Sequence, residues 1–412
     1  MRAYLVGGAV RDTLLGRSVG DRDFVVIGET PENMLAAGFM PVGGEFPVFL
    51  HPKTKEEYAL ARTEKKHGKG YHGFVFYAAP DVSLKDDLRR RDLTVNAIAQ
   101  DENGKLIDPW GGINDLTAKV LRHVSPAFSE DPVRLLRVAR FAATLPDFSI
   151  AADTMALMRH MVQRGEAANL TAERVWRELA RGLTAACPAR MIEVMNDCGL
   201  LEVILPEVAA LRGVPERRDY HPEGETYIHT LMVLDAAADL HLSAAECFAA
   251  LVHDIGKAQT PATILPSHHG HEARSRTLVE SLCQRLKTPQ EFSSLALTAA
   301  AEHGNVHNAL VLRSSKVVDL LMRLDVFRRP TRAESVLRVC EADYAYWPAR
   351  RGTRYPQGEF IRLAIEAAKT VDSGAIACTT QKKYGHTPSK IAEQIRYARI
   401  RAVRTLSATS KL

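Results

Sequence analysis

Short apolar runs alternate with amphipathic stretches over the first 125 residues or so, and beyond them Ala-, Leu- and Arg-rich segments take over. Residues 3–6 (AYLV) and 24–27 (FVVI) are apolar runs bounded by glycine or acidic residues, and each predicts a strand. Residues 58–61 and 93–99 carry weaker versions of the same signal. Helical stretches at 9–15 and 30–37 lie between them, so this part predicts a mixed α/β domain. From Asp131 onward, segments 131–144, 152–164, 171–186, 189–198, 228–240 and 244–253 show helical patterning with Pro and Gly punctuation, which predicts an all-α remainder. Pro206, Pro215 and Pro222 bracket a loop-rich stretch at 207–226, where we place a boundary. The last helix is expected to open with Thr387 as N-cap and Pro388 in its first position. The fold class is α+β, with expected divisions at 1–140, 141–225, 226–345 and 346–412.

Composition narrows the functional classes. With 412 residues, 46% hydrophobic and 25% charged, the chain can form two or three cores and does not have the make-up of a disordered protein. It lacks a run of about 18 uncharged apolar residues, so no membrane span is expected. The opening MRAYLVGGAVRD lacks a signal-peptide layout, and a cytoplasmic location is expected. Cys187, Cys198, Cys247, Cys283, Cys340 and Cys378 form no C-x-x-C, which points to reduced, mostly core residues. The net charge is +5, but residues 381–412 hold eight Lys or Arg against Glu393 alone. That segment therefore carries +7 and the other 380 residues −2. Ile391, Ile395, Ala398, Ala402 and Leu406 fall at helical spacing, giving an amphipathic helix whose basic face is either solvated or set against a nucleic-acid backbone.

The chemistry begins at Gly7-Gly8, between a strand and a helix, where backbone N–H groups can approach a phosphate. Asp21 and Asp23 flank Arg22 at the start of the 24–27 strand, and a period of two puts both carboxylates on one face. Side by side they repel unless a cation lies between them, an arrangement suited to Mg²⁺ and a phosphoryl transfer. Arg89, Arg90 and Arg91 precede Asp92, Thr94 and Asn96, and guanidinium groups suit bidentate contact with phosphate. Glu130-Asp131-Pro132 opens a helix in which Arg134, Arg137 and Arg140 recur every third residue. A capping acid followed by a salt-bridged surface would account for Asp131 and Arg134, and accounts less well for three evenly spaced arginines.

LVGGAVRD at 5–12, DRD at 21–23, RRRDLTVNA at 89–97, DPWGG at 108–112 and EDPVRLLRVARF at 130–141, in this order, resemble the bacterial CCA-adding tRNA nucleotidyltransferases. That class shares its head with bacterial poly(A) polymerase. The resemblance implies a polymerase-β-like head followed by a helical, RNA-binding body. It implies that Gly8, Arg11, Arg91, Asp131, Arg134, Arg137 and Arg140 contact CTP or ATP, and that Asp21 and Asp23 are catalytic and hold Mg²⁺. Physics agrees for Asp131 and Arg134: a carboxylate can accept from the amino group shared by cytosine and adenine while a guanidinium donates to the ring nitrogen, a pair that admits C and A and rejects U and G without a template because a wrong edge leaves buried polar groups unpaired. Glu57 and Asp108 are candidates for a third carboxylate. The partner implied is the tRNA 3' end, with pyrophosphate released and tandem CCACCA addition to unstable tRNAs as a further activity.

In the second half, His229 begins a helix and His253-Asp254 ends another, so two imidazoles and a carboxylate can meet at a divalent ion. The string HDIGK at 253–257 resembles the HD phosphohydrolase domain, carried by some members of the same family. By that resemblance His229, His253 and Asp254 are ligands, Asp343 is the expected distal acid, and His268, His269, His271 and His303 are candidates for the site or its phosphate contacts. Phosphatase, 2'-nucleotidase and 2',3'-cyclic phosphodiesterase activities are implied. Imidazole ligation favours a transition ion such as Ni²⁺ over Mg²⁺. Poly(A) polymerase, an HD hydrolase with a nucleotide-binding head, and a catalytically silent RNA-binding protein are the competing readings; monomer and homodimer both stay open.

Overall fold

The computed structural model describes residues 1–42, 48–66, 74–385 and 387–409, which leaves Lys411 of the basic tail outside the described residues. The chain divides into two compact units, Met1–Ile204 and Leu205–Leu412, so the division precedes the 207–226 stretch in which the prolines placed it.

Unit 1 is built on a mixed sheet with strand order Met40–Val42, Val48–Leu50, Glu57–Leu60, Asp23–Ile27, Arg2–Val6, Ala99–Gln100, Leu106–Ile107. Strand Asp23–Ile27 sits near its middle, antiparallel to Arg2–Val6 and parallel to Glu57–Leu60. Alternation buries both faces: Val25 and Ile27 pack with Val6, Leu88 and Ala99, whereas Val26 packs with Met34, Phe49 and Leu60. That is why the run FVVI is continuously apolar.

The strand expected over 93–99 does not form as such. Thr94–Asn96 is a single 3₁₀ turn and only Ala99–Gln100 joins the sheet. The polar side chains decide it: Thr94 Oγ1 donates to Asp115 Oδ2 (2.7 Å) and Asn96 Nδ2 to Asp92 Oδ1 (3.1 Å), and a pleated ladder would part them. Asp108 accepts from the backbone N–H groups of Gly112 and Ile113, both at 2.8 Å, and so caps the helix Gly112–Ala118. Helices Val133–Thr144, Ala152–Gln163, Ala172–Leu183 and Pro188–Asp197 complete the unit, the first packing on the last two.

In unit 2, Thr226–Asp239 and Ala244–Val252 both pack on Pro330–Ala345, and His271–Arg285 packs on Gln290–His307. Ser243 and Glu246 form a reciprocal capping box at the start of Ala244–Val252. Ser314–Arg323, Pro356–Lys369, Ser373–Tyr384 and Pro388–Thr409 form the C-terminal part. Among the described residues no helix is long and apolar enough to cross a membrane.

Candidate active sites

In unit 1, a cavity of about 630 Å³ is lined by nine arginines and five aspartates, among them Arg11, Arg91, Asp21 and Asp23. Gly7 leaves the strand Arg2–Val6 at φ 72°, in the left-handed region glycine enters at little cost, and a Cβ there would lie 3.0 Å from Arg91 Nη1. Arg11 is buried, with Nη1 donating to Asn96 Oδ1 (2.8 Å) and Nη2 to Asp12 (2.8 Å). Asn96 in turn donates to Asp92, which accepts 2.7 Å from Arg137 Nε. Arg140 pairs with Glu178 at 2.6 Å and stacks 4.1 Å over Phe141. These carboxylates hold the guanidinium groups around the cavity.

Asp23 opens its strand and Asp21 precedes it. Loss of water around Asp23 pushes its carboxyl up; Arg91 opposes this and Asp21 adds to it. A cation beside them relieves both effects, so the donor set fits Mg²⁺. Glu57 is the register partner of Asp23 but does not line the cavity, and Asp108 is committed to its helix cap.

Asp131 and Arg134 both line the cavity but are not paired with each other. Asp131 accepts from Arg174 Nη2 at 2.7 Å, while Arg134 donates to the carbonyls of Ala127 (2.7 Å) and Arg90 (2.6 Å). Their i,i+3 spacing fails to bring them together because Asp131 lies ahead of the helix in an extended conformation and accepts the N–H of Val133. Arg174 arrives from the helix Ala172–Leu183 and has no cue in the local motif.

In unit 2, the helix Ala244–Val252 ends just before His253 and Asp254, and the chain turns into a 3₁₀ segment, Ile255–Gln259. His253 Nδ1 donates to the carbonyl of Ala250 (2.8 Å), which turns Nε2 toward Asp254 Oδ2 (3.2 Å) and Asp343 Oδ2 (3.7 Å). His229 Nε2 lies 3.1 Å from Asp343 Oδ1 and its Nδ1 3.0 Å from Glu223 Oε1. His271 and His303 approach Asp254 Oδ1 at 3.2 and 3.3 Å. Lys257 bridges Asp254 (2.8 Å) and Glu216 (2.7 Å). His229, Asp254, Lys257, His271, His303 and Asp343 line a cavity of about 490 Å³, and His253 is fully buried beside them.

Electrostatically this cluster attracts positive charge. Burial alone would raise the pKa values of Asp254 and Asp343, yet His253 and Lys257 around the first, and His229, His253 and His307 around the second, hold both well below the carboxylate range. For His229 burial opposes the charge, but Asp343 and Glu223 outweigh it and raise the imidazole to about 9. His229 Nε2, His253 Nε2 and Asp254 Oδ1 are buried without a hydrogen-bond partner of good geometry. Buried polar atoms converging without partners fit a divalent ion, with imidazole donors favouring a transition metal.

Of the remaining candidates, His268 uses both ring nitrogens elsewhere, on the Pro215 carbonyl (3.0 Å) and Thr260 Oγ1 (2.7 Å). His269 is exposed and, with His268, lines an adjoining cavity of about 420 Å³. Sequence reasoning passed over Glu223, Glu216, His307, Tyr346 and Tyr355. His307 Nε2 meets Asp343 Oδ2 at 2.7 Å and its Nδ1 the hydroxyl of Tyr355 at 2.9 Å. Tyr346 donates to Glu223 Oε2 at 3.1 Å. Only Glu223, in HPEGETYIH just ahead of His229, offered a signal, as an acid close in sequence to an expected ligand.

Comparison with known proteins agrees with this division of sites. Residues 3–122 match the poly A polymerase head domain, 147–211 a probable RNA and SrmB-binding site of polymerase A, and 226–344 the HD domain. A multifunctional CCA protein of Paracidovorax citrulli is 54% identical over 407 residues, covering 98% of this chain and 97% of its own. Another from Dechloromonas aromatica is 53% identical with the same coverage. In fold, the chain is similar to the Bacillus stearothermophilus CCA-adding enzyme in complex with CTP, with a TM-score of 0.65, 23% identity and coverage of 99% and 89%. With more than half of its residues shared over nearly the full length of such relatives, the chain belongs to the multifunctional CCA protein family and is a nucleotidyltransferase that carries an HD domain.

Proposed function

We propose that the protein builds and repairs the 3'-terminal CCA of tRNA from CTP and ATP, releasing pyrophosphate, in the cytoplasm. The observation that carries this reading is the arginine-lined cavity of unit 1 with two aspartates at one edge. The tRNA 3'-hydroxyl attacks the α-phosphate of the bound nucleotide and pyrophosphate departs. Gly8, Arg11, Arg91, Arg137 and Arg140 hold and orient the triphosphate. Asp21 and Asp23 would hold Mg²⁺, which supplies neutralisation of charge developing on the phosphate oxygens. Asp131 and Arg134 would read the amino and ring-nitrogen edge of C or A, Asp131 exchanging its present partner Arg174 for the base. In this scheme residues 1–140 are the catalytic head, 141–225 the RNA-binding body, 226–345 the hydrolase and 346–412 a basic tail.

The centre of unit 2 is a second active site, a metal-dependent phosphohydrolase with His229, His253, Asp254 and Asp343 as ligands and an ion such as Ni²⁺. Phosphatase, 2'-nucleotidase and 2',3'-cyclic phosphodiesterase activities would clear damaged 3' ends ahead of addition, and tandem CCACCA addition would mark unstable tRNAs. The test uses the full chain, tRNA lacking its 3' end and labelled nucleotides. Asp21→Ala is expected to cut CTP incorporation about a thousandfold, the several kcal/mol a divalent ion supplies, while sparing phosphatase activity. Asp254→Ala is expected to do the reverse. ATP-only incorporation into unrelated RNA would overturn the reading in favour of a poly(A) polymerase.

A further inference from the structure

We infer that Tyr220 and Tyr344, at the mouth of the larger unit 2 cavity, stack on the terminal base of an RNA 3' end, and that the nucleotide before it passes into the adjoining cavity. This rests on the reading of the centre of unit 2 as a phosphohydrolase and names what its rim selects, a strand end in place of a bare phosphate ester.

The rim differs in chemistry from the cluster beneath it. Tyr220, Tyr344 and Arg350 line the cavity of about 490 Å³ together with the ionisable groups. Tyr220 is 64% exposed, and the Arg217 guanidinium lies 5.1 Å from the centre of its ring. Tyr344 follows Asp343 near the end of the helix Pro330–Ala345, and the Arg350 guanidinium lies 4.9 Å from the centre of its ring. Each tyrosine thus pairs a π-face with a guanidinium. That is the equipment of a single-strand nucleic-acid site, in which the ring takes a base and the guanidinium a phosphate. Hydrolysis of a small phosphate ester at the cluster calls for neither.

Both rings are tied to the groups below. The N–H of Tyr220 donates to the carbonyl of Arg217 at 3.0 Å, and the carbonyl of Tyr220 lies 3.2 Å from the hydroxyl of Tyr346, whose ring packs 4.5 Å from that of His229. The ring of Tyr344 lies 5.1 Å from that of the buried Tyr355. A base received on rings already held in this way costs little further ordering.

Space favours a strand over a mononucleotide. Tyr220 also lines the adjoining cavity of about 420 Å³, which shares His221, Lys257, His271 and Asn308 with the first. One nucleotide fills one chamber, and the second continues the path past Tyr220. Arg217 and the exposed His269 line that second chamber. Arg217 is paired at 3.2 Å with the exposed Asp219, a contact that a phosphate replaces at small cost. Of the two carboxylates lining the chamber, Glu216 is neutralised by Lys257 at 2.7 Å, which leaves Glu272.

The test gives the metal-loaded full chain three esters: glycerol 2-phosphate, which has no base, 2',3'-cyclic AMP, and a trinucleotide ending in a 2',3'-cyclic phosphate. In the parent, KM should be at least about threefold lower for the trinucleotide than for cyclic AMP. Replacing Tyr220 and Tyr344 by Ala should cut the preference for cyclic AMP over glycerol 2-phosphate, read as the ratio of kcat/KM values, by about tenfold or more, the loss of one stacked base, whereas Phe at both positions retains it. Arg217→Ala should remove the advantage of the trinucleotide. An unchanged preference in the alanine variant overturns the stacking, and equal KM values for the two cyclic esters in the parent overturn the strand end. Tyr220→Ala alone, at an exposed side chain, carries the test if the double variant does not fold. Hydrolysis of none of the three esters by the parent overturns the reading of the centre as a hydrolase, and binding then judges the rim. With CTP in excess to fill the unit 1 cavity, chelator-stripped parent should quench a 2-aminopurine trinucleotide more strongly than Tyr220→Ala does, and equal quenching overturns the inference.

Discussion

Asp92 keeps a carboxylate in the interior of unit 1, 5% exposed, because three donors reach it: the guanidinium of Arg137, the amide of Asn96 and the N–H of Leu93. Burial alone would raise its pKa, and these donors outweigh it and hold the carboxyl far below its ordinary range. Asp92→Asn should therefore cost about 1–3 kcal/mol at neutral pH. A depressed folded pKa gives stability that is present above the unfolded value of about 4 and lost as pH falls through the folded one. The gap between parent and variant in urea denaturation is thus expected to narrow below pH ~4, and a gap constant with pH would refute this account. Asp131 is the residue whose replacement should change choice rather than speed. Asp131→Ala is expected to erode discrimination against UTP and GTP by about tenfold or more, as a polar contact worth ~1–3 kcal/mol is lost. Incorporation from each of the four nucleotides offered alone checks it, and unchanged selectivity would remove Asp131 from base reading.

Elements are where the HDIGK string acquires a mechanical meaning. Gly256 donates its N–H to Ser275 Oγ at 2.9 Å, and a Cβ at this glycine would collide with Ser275 N and the carbonyl of His271. The missing side chain lets the helix His271–Arg285 lie directly on the 3₁₀ segment Ile255–Gln259, which brings His271 within 3.2 Å of Asp254. Gly256→Ala should force the two apart, cost about 1–3 kcal/mol and reduce phosphatase activity without touching a ligand. A variant with parental melting temperature and parental phosphatase activity would contradict it. Helix signals were legible in the sequence because they are local: Pro388, expected in the first position of the last helix, is the first residue of the helix Pro388–Thr409. The stretch 93–99 misled because its apolar residues suit a strand while Thr94 and Asn96 take partners that a strand would not let them reach.

At the scale of the whole molecule, Cys198, Cys247, Cys283 and Cys340 are buried, and burial raises each thiol, to about 11 for Cys198 and about 12 for Cys247. Cys378 is exposed, so it should supply the fast phase of labelling by a thiol reagent in the native protein. Cys378→Ser should remove that phase, and its survival would assign it instead to the half-buried Cys187 or to one of the buried thiols. The basic tail is partly neutralised within its own unit: Arg396 pairs with Asp319 at 2.7 Å and Arg399 lies 3.5 Å over the ring of Phe327. Lys382, Lys383, Lys390, Arg401 and Arg404 remain exposed, so the face offered outward is narrower than the raw charge of the segment. By itself the sequence determined the α+β class, the helices and the groups that act at short range along the chain, such as Asp21 with Asp23 and His253 with Asp254. Nearness along the chain keeps such groups close to each other even where, as with Asp21 and His253, they fall just outside a regular element. Only the tertiary structure decided that Arg174 rather than Arg134 meets Asp131, that Glu223 and Tyr355 reach His229 and His307, and that Asp254 faces two pairs of imidazoles. Apart from Glu223, six residues ahead of His229, those contacts join residues far apart in the chain, and the packing of one helix on another, which no local pattern encodes, sets them.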